Sequence, residues 1–162
     1  MKKQLSLISL FVVLIITLSA NNRQAQALSV GDTAPGFELK NSDSTLSLES
    51  LKGKYALVSI WSSTDPASRI AIGDYDRLSA RNLIVISVNS DRNPKLFKEI
   101  VRRDGLENAK HFALAGQSPE FREKFSPTGA AQTYLIDPEG EIAAINPTVA
   151  ELNSILGSRV LQ

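Results

Sequence analysis

The stretch Tyr55 to Ile72, YALVSIWSSTDPASRIAI, constrains the fold more than any other part of the chain. Tyr55 to Trp61 is apolar, β-branched or aromatic except at Ser59, a pattern expected of a strand covered on both faces. Ser62, Ser63 and Thr64 then form a short polar loop, and at Asp65-Pro66 the period changes. An aspartate before a helix accepts hydrogen bonds from the free first-turn amides. Proline fits the first helical position because its missing N–H would have had no partner there. The stretch therefore predicts a buried strand running straight into a helix N-terminus. Unpaired amides and a partial positive charge point from that terminus toward the loop before it. A site, if the chain carries one, is expected there.

The chain contains no cysteine. Disulfide exchange proceeds by thiolate attack on sulfur, and neither a carboxylate nor a hydroxyl substitutes for that step. The one methionine is Met1 and the one histidine is His111. No zinc or copper site with thiolate or paired imidazole ligands can be assembled from that set. Asp137-Pro138-Glu139-Gly140-Glu141 is too short for a calcium loop and reads as a turn. Neither a metal nor a cofactor is predicted.

At the start of the chain, Lys2 and Lys3 precede the apolar run Leu5 to Leu18, which is short for a bilayer span. Polar residues and Ala25-Gln26-Ala27 follow. This is the pattern of a secretory signal peptide over residues 1–27, leaving a single domain over 28–162; an uncleaved membrane anchor is the alternative. Loss of Lys2, Lys3 and Arg23 leaves 15 of the 18 basic residues against 17 acidic ones, a net charge of −2. No basic patch suited to nucleic acid is present, and no later segment is long and apolar enough to span a membrane. The sequence assigns no oligomeric state.

The remaining elements follow from punctuation and period. Gly31, Pro35 and Gly36 mark an arm before a short strand at Phe37 to Leu39. Leu46, Leu48 and Leu51 give a brief strand and helical turn. The helix from Pro66 is expected to turn Ile70, Ile72, Tyr75 and Leu78 inward and Arg69, Asp74, Asp76 and Arg77 outward. Leu83 to Val88 is a second buried strand. Pro94 opens a helix to Asp104 with Leu96, Phe97, Ile100 and Val101 as its apolar face, ended by Gly105; the charges from Asp91 to Asp104 suit a solvated face. His111 to Leu114 reads as a short strand and Pro119 to Phe125 as a short helix. A strand up to Asp137, a tight turn and a returning strand at Glu141 to Ile145 form a hairpin. Thr148 caps a last helix with Leu152, Ile155, Leu156 and Val160 inward.

These motifs together resemble the thioredoxin-like superfamily, and in particular its exported thiol-disulfide oxidoreductases. Val30-Gly31-Asp32-Thr33-Ala34-Pro35-Gly36-Phe37-Glu38-Leu39 is similar to an opening that those proteins share with peroxiredoxins. Trp61 matches the first Trp of W-x-x-W-C-x-x-C-R, Pro66 the residue after the first Cys, and Arg69 the residue after the second. Asp65 and Ser68 stand at the cysteine positions and Thr64 at the second Trp. Thr128 to Asp137 resembles the G-x-P-x-T-F-L-I-D strand, with Ala131 at the position of the family's cis-proline. A cis bond before a non-proline costs about 2.5–4 kcal/mol, so a trans peptide is expected there. Ser59 replaces a buried aspartate found in thioredoxins proper. The resemblance implies an α/β thioredoxin fold: a central mixed sheet with helices on both faces and an N-terminal strand extension.

No catalytic residue is assigned. Asp65 reads first as a helix cap and otherwise as an acid that contacts a partner. Ser68 is a first-turn serine with no base in sight. Trp61 is either core packing or a partly exposed anchor, and Arg69 is expected to be solvated. A hydrolase built on Asp65, Ser68 and His111 would need a geometry that the sequence gives no reason to expect. A peroxidase or oxidoreductase, as in the family, would need cysteine. The favoured expectation is a redox-inactive module of the cell envelope, most simply the periplasm. It would hold a protein or peptide partner in the former active-site groove, through Trp61, Thr64, Asp65, Ser68, Ala130 and Ala131.

Overall fold

The computed structural model describes residues 27–78 and 82–158. Residues 1–26 of the expected leader, and Val160 of the last helix, lie outside the described residues. The strands are β1 (Glu38–Lys40), β2 (Thr45–Ser47), β3 (Tyr55–Trp61), β4 (Leu83–Asn89), β5 (Lys110–Ala113), β6 (Gln132–Ile136) and β7 (Ile142–Ile145). The α-helices are α1 (Pro66–Asp76), α2 (Pro94–Asp104), α3 (Pro119–Phe125) and α4 (Val149–Ser158). Five strands form one mixed sheet in the order β5-β4-β3-β6-β7. β3 is parallel to β4 and antiparallel to β6. β1 and β2 form a separate antiparallel hairpin, which is the expected N-terminal extension.

β3 is buried along its whole length because both faces of the sheet are covered. Its alternate side chains enter two cores. Ala56, Val58 and Ile60 pack with Phe37, Leu39, Phe121 and Phe125 under the N-terminal arm and α3. Tyr55, Leu57 and Trp61 pack with Ile72, Phe97, Ile100 and Leu152 under α1, α2 and α4. Each fully buried side chain of this size contributes about 1.5–3 kcal/mol, so β3 is the element around which both layers assemble. α2 ends at Gly105, whose φ of 64° is left-handed backbone that glycine adopts without a Cβ clash. Thr148 and Glu151 cap α4 reciprocally: Thr148 N–H donates to Glu151 Oε2 at 2.7 Å and Glu151 N–H to Thr148 Oγ1 at 3.2 Å.

The inner and outer faces of α1 differ from the amphipathic reading in two places. Ile70 is 66% exposed, whereas Asp76 is 2% exposed. Asp76 turns inward because the 107–109 loop aims amides at it. Its carboxylate accepts N–H bonds from Ala109 at 2.7 Å, Asn108 at 3.1 Å and Glu107 at 3.2 Å. Arg69 is likewise not a free solvated charge. Its guanidinium forks onto Asp104 at 2.6 and 2.7 Å, joining the start of α1 to the end of α2. That pair holds the Asp104 carboxyl below its ordinary range. Leu96, expected on the apolar face of α2, is 41% exposed.

Candidate functional site

β3 delivers the chain to the loop Ser62 to Thr64, and Asp65 starts α1. Asp65 has extended backbone, and its side chain accepts from Ala67 N–H, as an N-cap does. Ser68 Oγ accepts from Ser62 N–H at 3.2 Å and lies 3.2 Å from Asp65 O, which it faces as donor. Its hydroxyl is therefore taken up in bracing its own loop. Thr64 Oγ1 lies 2.8 Å from Ser62 Oγ.

Asp91, in the loop after β4, binds this segment from the other side. Its carboxylate accepts from Ser62 Oγ at 2.6 Å, from Ser63 N–H at 3.2 Å and from Asn89 Nδ2 at 3.1 Å. Burial would raise its pKa, but the hydrogen bonds from Ser62, Ser63 and Asn89 together bring it below the ordinary carboxylate value. The sequence reading placed Asp91 among solvated charges; the structure makes it the anchor of the loop. The Asn-x-Asp spacing of Asn89 and Asp91 was the available signal, since Asn89 Oδ1 also accepts Asp91 N–H at 3.0 Å.

Opposite the start of α1 lies the loop Gly129 to Ala131. Ala130 and Ala131 are exposed, and Ala130 N–H reaches Thr128 Oγ1 at 3.3 Å. No cis peptide is present among the described residues, so the bond before Ala131 is trans, as expected. Between the two walls is a cleft of about 300 Å³ with Asp65 and Ser68 on one side, Ala131 on the other, and Ser59, Tyr75 and Thr133 at its base.

The base of the cleft is polar. Ser59 Oγ and Thr133 Oγ1 are 2.9 Å apart and buried. Tyr75 OH donates to Pro147 O at 2.7 Å. Burial raises the phenol pKa, partly opposed by a hydrogen bond from Thr133. Asn146 closes the rim with φ at 50°, a left-handed conformation that Asn tolerates better than most residues. Its Oδ1 accepts Thr133 N–H at 2.8 Å, and its own N–H donates to Thr133 O at 2.7 Å. Tyr75, Thr133 and Asn146 were not read from the sequence as site residues, because Thr133 pairs with Asn146 across 13 positions and Tyr75 bonds to Pro147 across 72.

The structure brings Asp65, Ser68 and Ala131 together at the cleft. It places Thr64 and Ala130 on exposed loop tips beside it. Trp61 is resolved as core: it is 0% exposed, its Nε1–H donates to Ser87 Oγ at 2.7 Å, and its ring meets Phe97 edge-on. Its side chain lies in the core and does not line the cleft. His111 lies on the edge strand β5 with Nε2 bonded to Leu106 O, and it does not line the cleft. The Asp65, Ser68 and His111 constellation is therefore not assembled. Among the described residues no group of three or more His, Cys, Asp or Glu is arranged to hold a metal. Among them, too, no helix is long and apolar enough to cross a membrane.

A strand entering a helix N-terminus, faced across a cleft by the loop before an antiparallel strand, defines a thioredoxin-fold domain. The chain belongs to the AhpC/TSA family, whose sequence pattern matches residues 30–145. It is 26% identical over 152 residues to the thiol:disulfide interchange protein DsbE of Pseudomonas aeruginosa, covering 88% of this chain and 83% of that protein. The thioredoxin domain of a thiol-disulfide oxidoreductase from Bacteroides vulgatus superposes with a TM-score of 0.67 at 22% identity, over 83% of this chain and 99% of that one. A peroxiredoxin-like protein from Aquifex aeolicus gives 0.66 at 18% identity, over 82% and 88%. The fold is shared with these two solved structures.

Proposed function

We propose that this protein is a thiol-free, redox-inactive member of the family that holds an extended peptide segment of a partner protein in the cleft between α1 and Ala131. The observation that carries this reading is the pairing of a retained cleft with replaced chemistry. Asp65 and Ser68 occupy the two cysteine positions, and about 300 Å³ remains open between them and Ala131. Ser68 is spent on its own loop, and no imidazole lies in the cleft to activate it. Asp65 offers a carboxylate oxygen at the mouth beyond the one that caps Ala67. Ala130 and Ala131 supply exposed backbone for an extended chain.

We place the protein outside the cytoplasm, in the periplasm, with residues 1–27 removed as a leader. N-terminal sequencing of the exported protein is expected to begin at Leu28. For the cleft itself, a photo-crosslinking residue at exposed Thr64, beside the cleft, is compared with one at exposed Glu151 on α4. A discrete peptide-bearing adduct from position 64 that is absent from position 151 supports the reading. Equal capture at both, or none at 64 in a folded exported protein, rejects it.

A further inference from the structure

The cleft between α1 and Ala131 has a one-sided polar lining. Asp65 is the one charged residue along it, and no lysine or arginine stands among the lining side chains. Asp65 Oδ1 accepts Ala67 N–H at 3.2 Å. Its Oδ2 has no partner among the described residues and is not buried. Arg69, one turn along α1, is already forked onto Asp104 and leaves Asp65 without a counter-charge.

The hydroxyls of the cleft bring no proton to a ligand. Tyr75 OH donates to Pro147 O, and Thr133 donates to Tyr75. A hydroxyl has one proton, so in the buried pair 2.9 Å apart it is Ser59 that donates to Thr133. Ser68 gives its proton to Ser62 O or Asp65 O. The start of α1 is also occupied. Pro66 has no N–H and the Ala67 N–H is capped, so the positive end of the helix is answered by its own aspartate. The side-chain amides of Gln132 and Asn146 also line the cleft and carry no charge. They suit the carbonyls of a bound chain and do not neutralise an anion. An anionic side chain would therefore meet Asp65 with nothing to offset the repulsion, whereas a cationic one meets an unpaired carboxylate oxygen.

We propose that the peptide segment held in the cleft carries a lysine or arginine whose head group pairs with Asp65. This rests on the peptide-holding reading above and names the chemistry of the segment held. Ala67 and Ala71, one turn apart on α1, line the same cleft and give the aliphatic stem of such a side chain an apolar surface.

The test uses three peptides, Ac-Ala-Ala-X-Ala-Ala-NH2, in which X is lysine, norleucine or glutamate. Lysine and norleucine share an aliphatic stem and differ in charge. Each peptide is titrated into the folded exported protein while the backbone amide resonances of Ser68 and Gln132, one on each wall, are followed. The lysine peptide is expected to bind with a Kd about fivefold below that of the norleucine peptide, the upper end for an ion pair that solvent still reaches. The glutamate peptide is expected to bind more weakly than either. In Asp65→Asn, which keeps a good helix cap, lysine and norleucine are expected to bind alike. Equal Kd values for lysine and norleucine in the unmodified protein, or tighter binding of glutamate, overturn the proposal and leave the peptide reading standing. A lysine preference that persists in Asp65→Asn overturns it too. No saturable shift at Ser68 and Gln132 with any of the three peptides rejects the peptide reading and this proposal with it. The comparison in the unmodified protein decides the matter even if Asp65→Asn fails to fold.

Discussion

The two walls of the α1 cleft are built to different standards. On the α1 side, Ser62, Ser63 and Ser68 are all committed, to one another or to Asp91. Farther along the same helix, Asp76 is gripped by the 107–109 loop and Arg69 by Asp104. On the other side, Ala130 and Ala131 are small and exposed, and Ala130 N–H makes a bond of 3.3 Å. One wall is a fixed reference and the other is lightly held. Where chemistry is performed, both walls must hold reacting atoms in register. Where a chain is only bound, one rigid wall and one adaptable one suffice.

Breaking the rigid wall at its most buried anchor is expected to have the largest effect. Asp76→Ala strands several inward-facing amides and should cost about 3 kcal/mol of unfolding free energy, read as a fall in urea midpoint. Ile70→Ser, on the outer face of the same helix, serves as the control and should stay within about 0.5 kcal/mol. Asp91→Ala should cost about 1–2 kcal/mol, since its partners are nearer solvent and rehydrate.

Asp91 also gives a signed pH effect. Its folded-state pKa lies below the ordinary 3.8, so the unfolded chain binds more protons as pH falls through that range. Its stabilisation is present above about pH 3.8 and is lost below it. Asp91→Asn should flatten that part of the acid limb. His111 acts in a higher window. Burial lowers its folded-state pKa from 6.5, opposed by the hydrogen bond to Leu106 O and by the Asp76 charge. The unfolded chain protonates first. The contribution of His111 is therefore full above pH 6.5 and declines as pH falls toward the folded-state value. His111→Phe should remove this slope, as measured by chemical denaturation across the range.

The smallest change in stability is expected on the loose wall. Ala131→Leu alters an exposed side chain and should move the unfolding free energy by less than about 0.5 kcal/mol. It should nevertheless narrow the cleft and abolish the crosslinked adduct. A variant that unfolds the protein would mean that this wall is structural after all.

Local signals made the frame of the cleft readable in advance. Asp65-Pro66 marks the start of α1 because a cap and a proline act on the nearest turn. The run Tyr55 to Trp61 marks a central strand because both its faces are apolar. Periodicity failed where a partner lay far away in sequence. Asp76 looked like an outward charge, yet amides 31 to 33 positions later draw it inward. Arg69 looked solvated until Asp104, 35 positions on, completed its fork. Trp61 could not be resolved because a strand buried on both faces gives no alternation to separate core from rim. Asp91 sits in a polar loop whose composition says nothing of the serines it binds across β3 and β4.

The central claim is that the frame of a thiol-disulfide site has been kept and its chemistry replaced. Disulfide-reductase turnover, measured side by side for the unmodified chain and for D65C/S68C/A131P, tests it most directly. The account predicts no turnover above background for the unmodified chain and measurable thiol exchange from the triple variant. Turnover by the unmodified chain, or a folded triple variant that exchanges no thiols, would contradict it.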